Sequence, residues 1–217
     1  RVMTVFIILG VVLSCAHQSS LGTLMVIAPG KLHPLWHSTV LPLQFLLSAF
    51  AVGLAMVIFE SYLASRSLRH PFDINVLSPL GRSIPFLLTI YFASKMIDMV
   101  NRGTWTYLFE PTLQAAAWWV EVIGGVVVPW LVLLSHRLRR RPGWLFAAAA
   151  LVVGGVALNR INVFVIGFKP LYPDKPYVPA ISEILLTAGF ISILVLLYRA
   201  FVFIFPVLPE EGEAHHA

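Results

Sequence analysis

Cysteine is almost absent from this chain: Cys15 is the only one among 217 residues. A single thiol cannot close an internal disulfide or hold an iron–sulfur cluster, and no C-x-x-C-H segment exists to attach a c-type haem. Charge is scarce as well, at 12% Asp, Glu, Lys and Arg against roughly 25% in soluble domains. The alternation of apolar and polar residues that a transmembrane β-barrel needs is missing, as is any repeat on the scale of about 20 to 50 residues. What is present in excess is hydrophobic sequence, 59% of the chain with a mean hydropathy of +0.86. A 24.1 kDa globule cannot bury that much apolar surface by itself.

A helix rises about 1.5 Å per residue, so roughly 20 apolar residues cross a hydrocarbon core of about 30 Å. Six segments reach that length, at 1–28, 39–65, 82–101, 112–136, 143–167 and 180–205. They predict an all-α fold, a polytopic transmembrane helical bundle with short loops and no soluble domain. Pro29-Gly30, Pro34, Pro71, Pro79, Pro111, Pro142-Gly143 and the Pro170 to Pro179 cluster punctuate the connections, as expected where helices begin or end. Pro42, Pro85 and Pro129 fall inside spans or at their first turns, which predicts kinks there.

The formal charge of +5 and the pI near 9.7 reflect topology, and no nucleic-acid partner is expected. Arg137, Arg139, Arg140 and Arg141 lie between the fourth and fifth spans, and Arg66, Arg69 and Arg82 flank the second connection; the other connections carry fewer cations. By the positive-inside rule the N-terminus, the second and fourth connections and the C-terminus are cytoplasmic, in a multi-pass protein of a lipid membrane. The apolar run continues from Val5 to Ile27, too long for the core of a cleaved signal peptide. The chain opens on Arg1 at the edge of a span, which reads as part of a longer protein with earlier helices missing.

Polar side chains inside spans are costly and therefore informative. His17-Gln18-Ser19-Ser20-Leu21-Gly22 lies in the outer half of the first span. Four consecutive polar residues cannot share one helix face, so they face different neighbours. His17 is suited to bond a quinone carbonyl or accept a proton; Ser20 and Gln18 serve equally well as interhelical glue. Haem b needs two facing imidazoles within the membrane, and His17 is the one clear candidate, so no haem is expected in this chain.

Lys95, Asp98 and Arg102 share one face at the outer end of the third span, where a Lys–Asp pair would neutralise itself or the lysine would snorkel. Arg160, in Asn159-Arg160-Ile161-Asn162, requires a carboxylate at its depth, supplied by Glu121 or Glu183; such a pair is structural or functional. Glu60, in the inner half of the second span, either begins a proton path or sits at the interface beside Arg66.

The His17 to Gly22 run, Lys31-Leu32-His33-Pro34-Leu35-Trp36, Val57-Ile58-Phe59-Glu60, Trp119-Val120-Glu121 and the Leu-Pro ending near Pro206 to Pro209 resemble the NrfD family of integral membrane subunits, in its branch serving nickel–iron hydrogenase. The resemblance implies the C-terminal half of a protein of two four-helix bundles. Residues 1–28 are then the last helix of the first bundle, 29–205 the second bundle with a terminal helix, and 206–217 a disordered acidic tail. It also implies the bacterial inner membrane and exchange of electrons between quinone, either menaquinone or ubiquinone, and an extracytoplasmic iron–sulfur partner bound to a catalytic redox subunit. No haem or metal is expected in this chain. His17, with Gln18 and Ser20, becomes the quinone or proton-exit candidate, and Glu60, Asp98, Glu121, Arg160 and Glu183 proton-path candidates. The same scaffold in a polysulfide, nitrite or quinol-oxidising complex is the alternative. A secondary transporter lacks support from any inverted repeat or interrupted helix pair.

Overall fold

The computed structural model describes residues 2–68, 72–169 and 179–204. Its helices are α1 (Val2–Ile27), α2 (Leu41–Leu68), α3 (Ile74–Asn101), α4 (Leu113–Val122), α5 (Val128–Leu134), α6 (His136–Arg139), α7 (Pro142–Ile161) and α8 (Ile181–Ile204). A π-helical turn, Ile123–Val127, joins α4 to α5 into one span, and a second, Asn162–Ile166, extends α7. Among the described residues six helical stretches are long and apolar enough to cross a membrane, at nearly the positions expected from the sequence. The chain is a multi-pass helical membrane protein. The acidic tail of 206–217 lies outside the described residues.

The third span differs most from expectation. The helix starts at Ile74, not at 82, and runs through both Pro79 and Pro85. Asp73 caps it by accepting the Asn75 N–H at 3.0 Å, and Pro79 and Pro85 both sit inside the helix, each leaving out one backbone hydrogen bond. Pro42 occupies the second position of α2, where proline is tolerated, and Pro129 follows directly on the π-turn inside the continuous α4–α5 span.

The described residues up to 169 form one compact unit and those from 179 to 204 another. Within the first, α2, α3, α4–α5 and α7 pack together, and α1 lies along α2. Two glycines permit the tightest crossing: a Cβ on Gly125 or Gly155 would overlap the other's backbone, the close approach that small residues allow between membrane helices. The core falls into two layers. Toward the Arg137–Arg141 end the interior is apolar, built from Ala51, Ala55, Ile58, Ile84, Leu88, Leu133, Leu145 and Val152 with their neighbours. At the opposite end Leu32, Leu35 and Trp36 fold inward from the first connection against Phe45, Met99, Trp118 and Val163. Backbone bonds from His33 N–H to Gly167 C=O and from Lys169 N–H to Lys31 C=O, each 2.7 Å, pin that connection to the end of the α7 extension. In the second unit, α8 is a single apolar helix carrying Glu183 in its first turn.

Candidate functional site

The layer capped by the first connection contains most of the buried polar side chains, centred on Glu121. Spacings of three, four and seven residues put Trp118, Glu121, Val122 and Gly125 on one buried face of the α4 span. Glu121 is only 2% exposed. Its Oε1 accepts from Lys95 Nζ on α3 and from Asn159 Nδ2 on α7 at 2.9 Å. Its Oε2 accepts from Trp36 Nε1 at 3.1 Å and from Asn162 Nδ2 at 2.8 Å. Four donors thus fill the four lone-pair sites of a carboxylate. Three helices and the first connection converge on one side chain, and its ion pair with Lys95 is buried on both sides.

Arg160 stands next to this centre and is satisfied differently. Its Nη1 donates to Asn159 Oδ1 at 2.6 Å and its Nη2 to Ser48 Oγ at 2.8 Å. Both Nε and Nη2 reach Gln18 Oε1 on α1 at 3.3 Å, and Nη2 also approaches the Phe45 carbonyl at 3.4 Å. The guanidinium carbon lies 3.6 Å from the centroid of the Phe45 ring, a cation–π contact that helps offset lost hydration. Asn159 takes one bond from Arg160 and gives one to Glu121, so it couples the two ionic groups.

These contacts correct two expectations. Glu121 is not the direct partner of Arg160; Lys95 takes it, and Arg160 is held by neutral acceptors and an aromatic face. Lys95 neither pairs with Asp98 nor snorkels. It is 4% exposed, with Tyr91 and Trp118 rings 5.8 and 5.6 Å away. Asp98 instead binds Arg102, at 2.8 Å from its Nε, and Arg102 Nη1 caps the Pro34 carbonyl at 3.0 Å. With Lys95 balanced by Glu121 and Arg102 by Asp98, the cluster keeps the charge of Arg160.

Between these two ion pairs is a cavity of about 10 Å³, lined by Ser38, Gln44, Lys95, Asp98, Arg102 and Asn159 among others, which is room for one water. Gln44 is 5% exposed and its Nε2 has no partner among the described residues. The histidines of the first connection border this layer. Burial first, and then the charge of Lys169, hold His33 below its ordinary pKa; its Nδ1 accepts the Leu35 N–H at 3.3 Å. Burial, followed by Arg102, does the same for His37, with Asp98 opposing.

The remaining sequence candidates are distributed. Gln18 joins the cluster, whereas His17 and Ser20 are exposed on another face of α1. Glu60 is exposed on α2, in the half of the bundle whose interior is apolar. Glu183 belongs to the other unit. Sequence reading missed Trp36, Ser48, Asn159, Asn162 and Gln44 as members. The one usable signal was the pair Asn159 and Asn162, three residues apart and hence on one helix face. The two π-turns begin beside Glu121 and at Asn162, and such turns recur at functional sites. Among the described residues no group of three His, Cys, Asp or Glu side chains is arranged to hold a metal.

Comparison with known proteins agrees with this architecture. A protein of Nitratidesulfovibrio vulgaris strain Hildenborough is 38% identical over 225 residues, covering 99% of this chain and 57% of its own length. A protein of Escherichia coli K12, named probable Ni/Fe-hydrogenase 2 b-type cytochrome subunit, is 32% identical over 219 residues, covering 100% of this chain and 55% of its own. The chain therefore spans about half the length of these curated relatives. No solved structure matches it. The family model described as polysulphide reductase, NrfD, matches residues 1–169, and the chain belongs to that family.

Proposed function

We propose that this chain is part of a quinone-interacting membrane subunit of a multisubunit, hydrogenase-linked oxidoreductase, in which α1 forms one wall of the quinone site and the Glu121 cluster supports it. The observation that carries this reading is the chain of hydrogen bonds Glu121–Asn159–Arg160–Gln18, which ends on α1 one residue from His17. Two-electron quinone reduction consumes two protons and develops negative charge on the carbonyl oxygens. His17 has the chemistry to bond such an oxygen and exchange a proton. Arg160, a cation with no carboxylate bonded to it among the described residues, favours negative charge nearby. His17 and Ser20 are exposed on α1, and in this reading the quinone lies against them. The quinone is menaquinone or ubiquinone.

Electrons in this reading pass between the quinone pool and an extracytoplasmic iron–sulfur subunit, itself joined to a catalytic redox subunit. The membrane is the bacterial inner membrane, with the Arg137–Arg141 end cytoplasmic, as are the N- and C-termini of the chain. Proton exchange belongs to the outer layer, where the cavity beside Gln44 links Asp98–Arg102 to Lys95. Glu121 takes part only by releasing one of its four donors. Glu60, and Glu183 on α8, are the candidates for carrying protons elsewhere, and transfer across the apolar inner layer would require water there.

The name of the E. coli relative raises haem b. Bis-histidine ligation needs two facing imidazoles. Among the described residues His17 is the one histidine inside a span, while His33, His37 and His136 lie beyond span ends. These residues do not supply the facing pair of imidazoles that such a haem needs.

His17→Ala in the full-length protein, with its partner subunits present, should lower quinone-linked turnover at least tenfold while the complex still co-purifies. Wild-type turnover in that variant would remove His17 from the site.

A further inference from the structure

At the Arg137–Arg141 end of the bundle, a cavity of about 550 Å³ opens between α3, α5 and α6. Its lining is graded. His136 and Arg139 stand just past the end of the α5 span and Arg82 faces them from the third turn of α3, while Phe86 and Trp130 lie about a turn deeper, with Pro85, Thr89, Leu133 and Leu134 completing the wall. From Arg82 to Thr89 α3 climbs about 10 Å, so charge gives way to apolar surface over the depth separating a headgroup from the first acyl carbons. Phe86 and Leu134 are exposed, 68% and 52%, leaving the cavity open along its side.

Among the described residues no carboxylate lies within ion-pairing distance of Arg82 or Arg139. Arg139 is only 8% exposed. Its stem packs on Gly81, its Nη1 donates to the Leu133 carbonyl at 2.8 Å, and its Nε is buried without a partner. Burial first, and then the charge of Arg82, depress the pKa of the Arg139 guanidinium. Two neighbouring guanidiniums with an unpaired buried donor are the complement of a phosphate. Basic pockets between transmembrane helices are suited to anionic lipid headgroups. The Trp130 indole N–H is already paired, to Thr89 Oγ1 at 2.9 Å, so the apolar part of the wall presents no unmet donor to a hydrocarbon chain.

We propose that this cavity binds an anionic phospholipid, with its phosphate held by Arg82, His136 and Arg139 and its first acyl carbons lying along Phe86, Trp130 and Leu134. The site is separate from the Glu121 cluster and lies across the apolar layer from it.

The test is native mass spectrometry of the full-length protein, delipidated in mild detergent and titrated with phosphatidylglycerol, phosphatidylcholine or inorganic phosphate. Phosphatidylglycerol should give one saturable adduct, with phosphatidylcholine at least tenfold weaker and phosphate failing to displace the lipid at matched concentration. Arg139→Gln also removes the bond to the Leu133 carbonyl, so Arg82→Gln, on an exposed position of α3, is the decisive variant. It should weaken phosphatidylglycerol at least tenfold, while Arg137→Gln, outside the cavity, stays within twofold of wild type. Undiminished binding in Arg82→Gln overturns the proposal, and displacement by phosphate reassigns the site to a free anion. Loss of the lipid on assembly with partner subunits would instead make this face a protein interface.

Discussion

Glu121→Gln offers the sharpest test of the buried cluster, because the number of hydrogen bonds makes its effect calculable. A carboxylate accepts all four donors that surround position 121. An amide keeps one acceptor oxygen and turns its NH₂ toward two of those donors, so two good contacts become donor–donor clashes. The substitution also leaves the Lys95 ammonium, 4% exposed, without its counterion. Breaking a buried ion pair at one partner costs about 3–5 kcal/mol, and each donor left unsatisfied adds about 1–3 kcal/mol when relaxation does not relieve it. Lys95→Met should cost less than Glu121→Gln, since Glu121 would retain Trp36, Asn159 and Asn162 as donors. The double variant should be more stable than the sum of the single effects predicts, with a coupling of about 2 kcal/mol or more between the sites. The assay is equilibrium unfolding of the full-length protein in mixed dodecyl maltoside and SDS micelles, followed by tryptophan fluorescence. A loss below about 1 kcal/mol for Glu121→Gln, or strict additivity in the cycle, would refute a dry, fully bonded pair.

Two further outcomes are expected. Gly125→Ala introduces a methyl group where the Gly155 backbone stands, so it should destabilise by about 1–3 kcal/mol, whereas Gly124→Ala, which meets open space, should be near neutral in the same unfolding assay. The pKa of His33 is lower in the folded state than its ordinary 6.5, so the unfolded chain takes up its proton first as pH falls. The contribution of this residue is therefore present above about pH 6.5 and is lost as pH drops through the lowered folded value. The stability gap between wild type and His33→Gln should narrow between pH 7.5 and 5.5, and a gap that does not change with pH would contradict the assignment.

The spans were legible in the sequence because hydropathy is a local property and the bilayer imposes one length on every crossing. Even so, α3 begins eight residues before its apolar stretch suggests, since the Asp73 cap starts the helix and the helix continues through Pro79 despite the bond it leaves out. Glu121 and Arg160 stood out as expensive residues in apolar surroundings, and both prove to be in the cluster. Their partners were not legible. Lys95 and Glu121 are 26 positions apart, and Gln18 and Arg160 are 142 apart. No spacing rule reaches across separate helices. Trp36 looked like loop sequence until the first connection folded inward.

The sequence by itself determined a six-span helical membrane protein, the positions of its spans, the asymmetry of its cations and the set of polar residues that must find partners away from lipid. Only the tertiary structure decided which partners they found. It gave Glu121 to Lys95, left Arg160 to neutral acceptors and Phe45, and turned Gln18 inward while His17 faces out. The physical reason is that hydropathy and helical period act along one helix, whereas a buried charge is settled by whichever donors the neighbouring helices bring within about 3 Å.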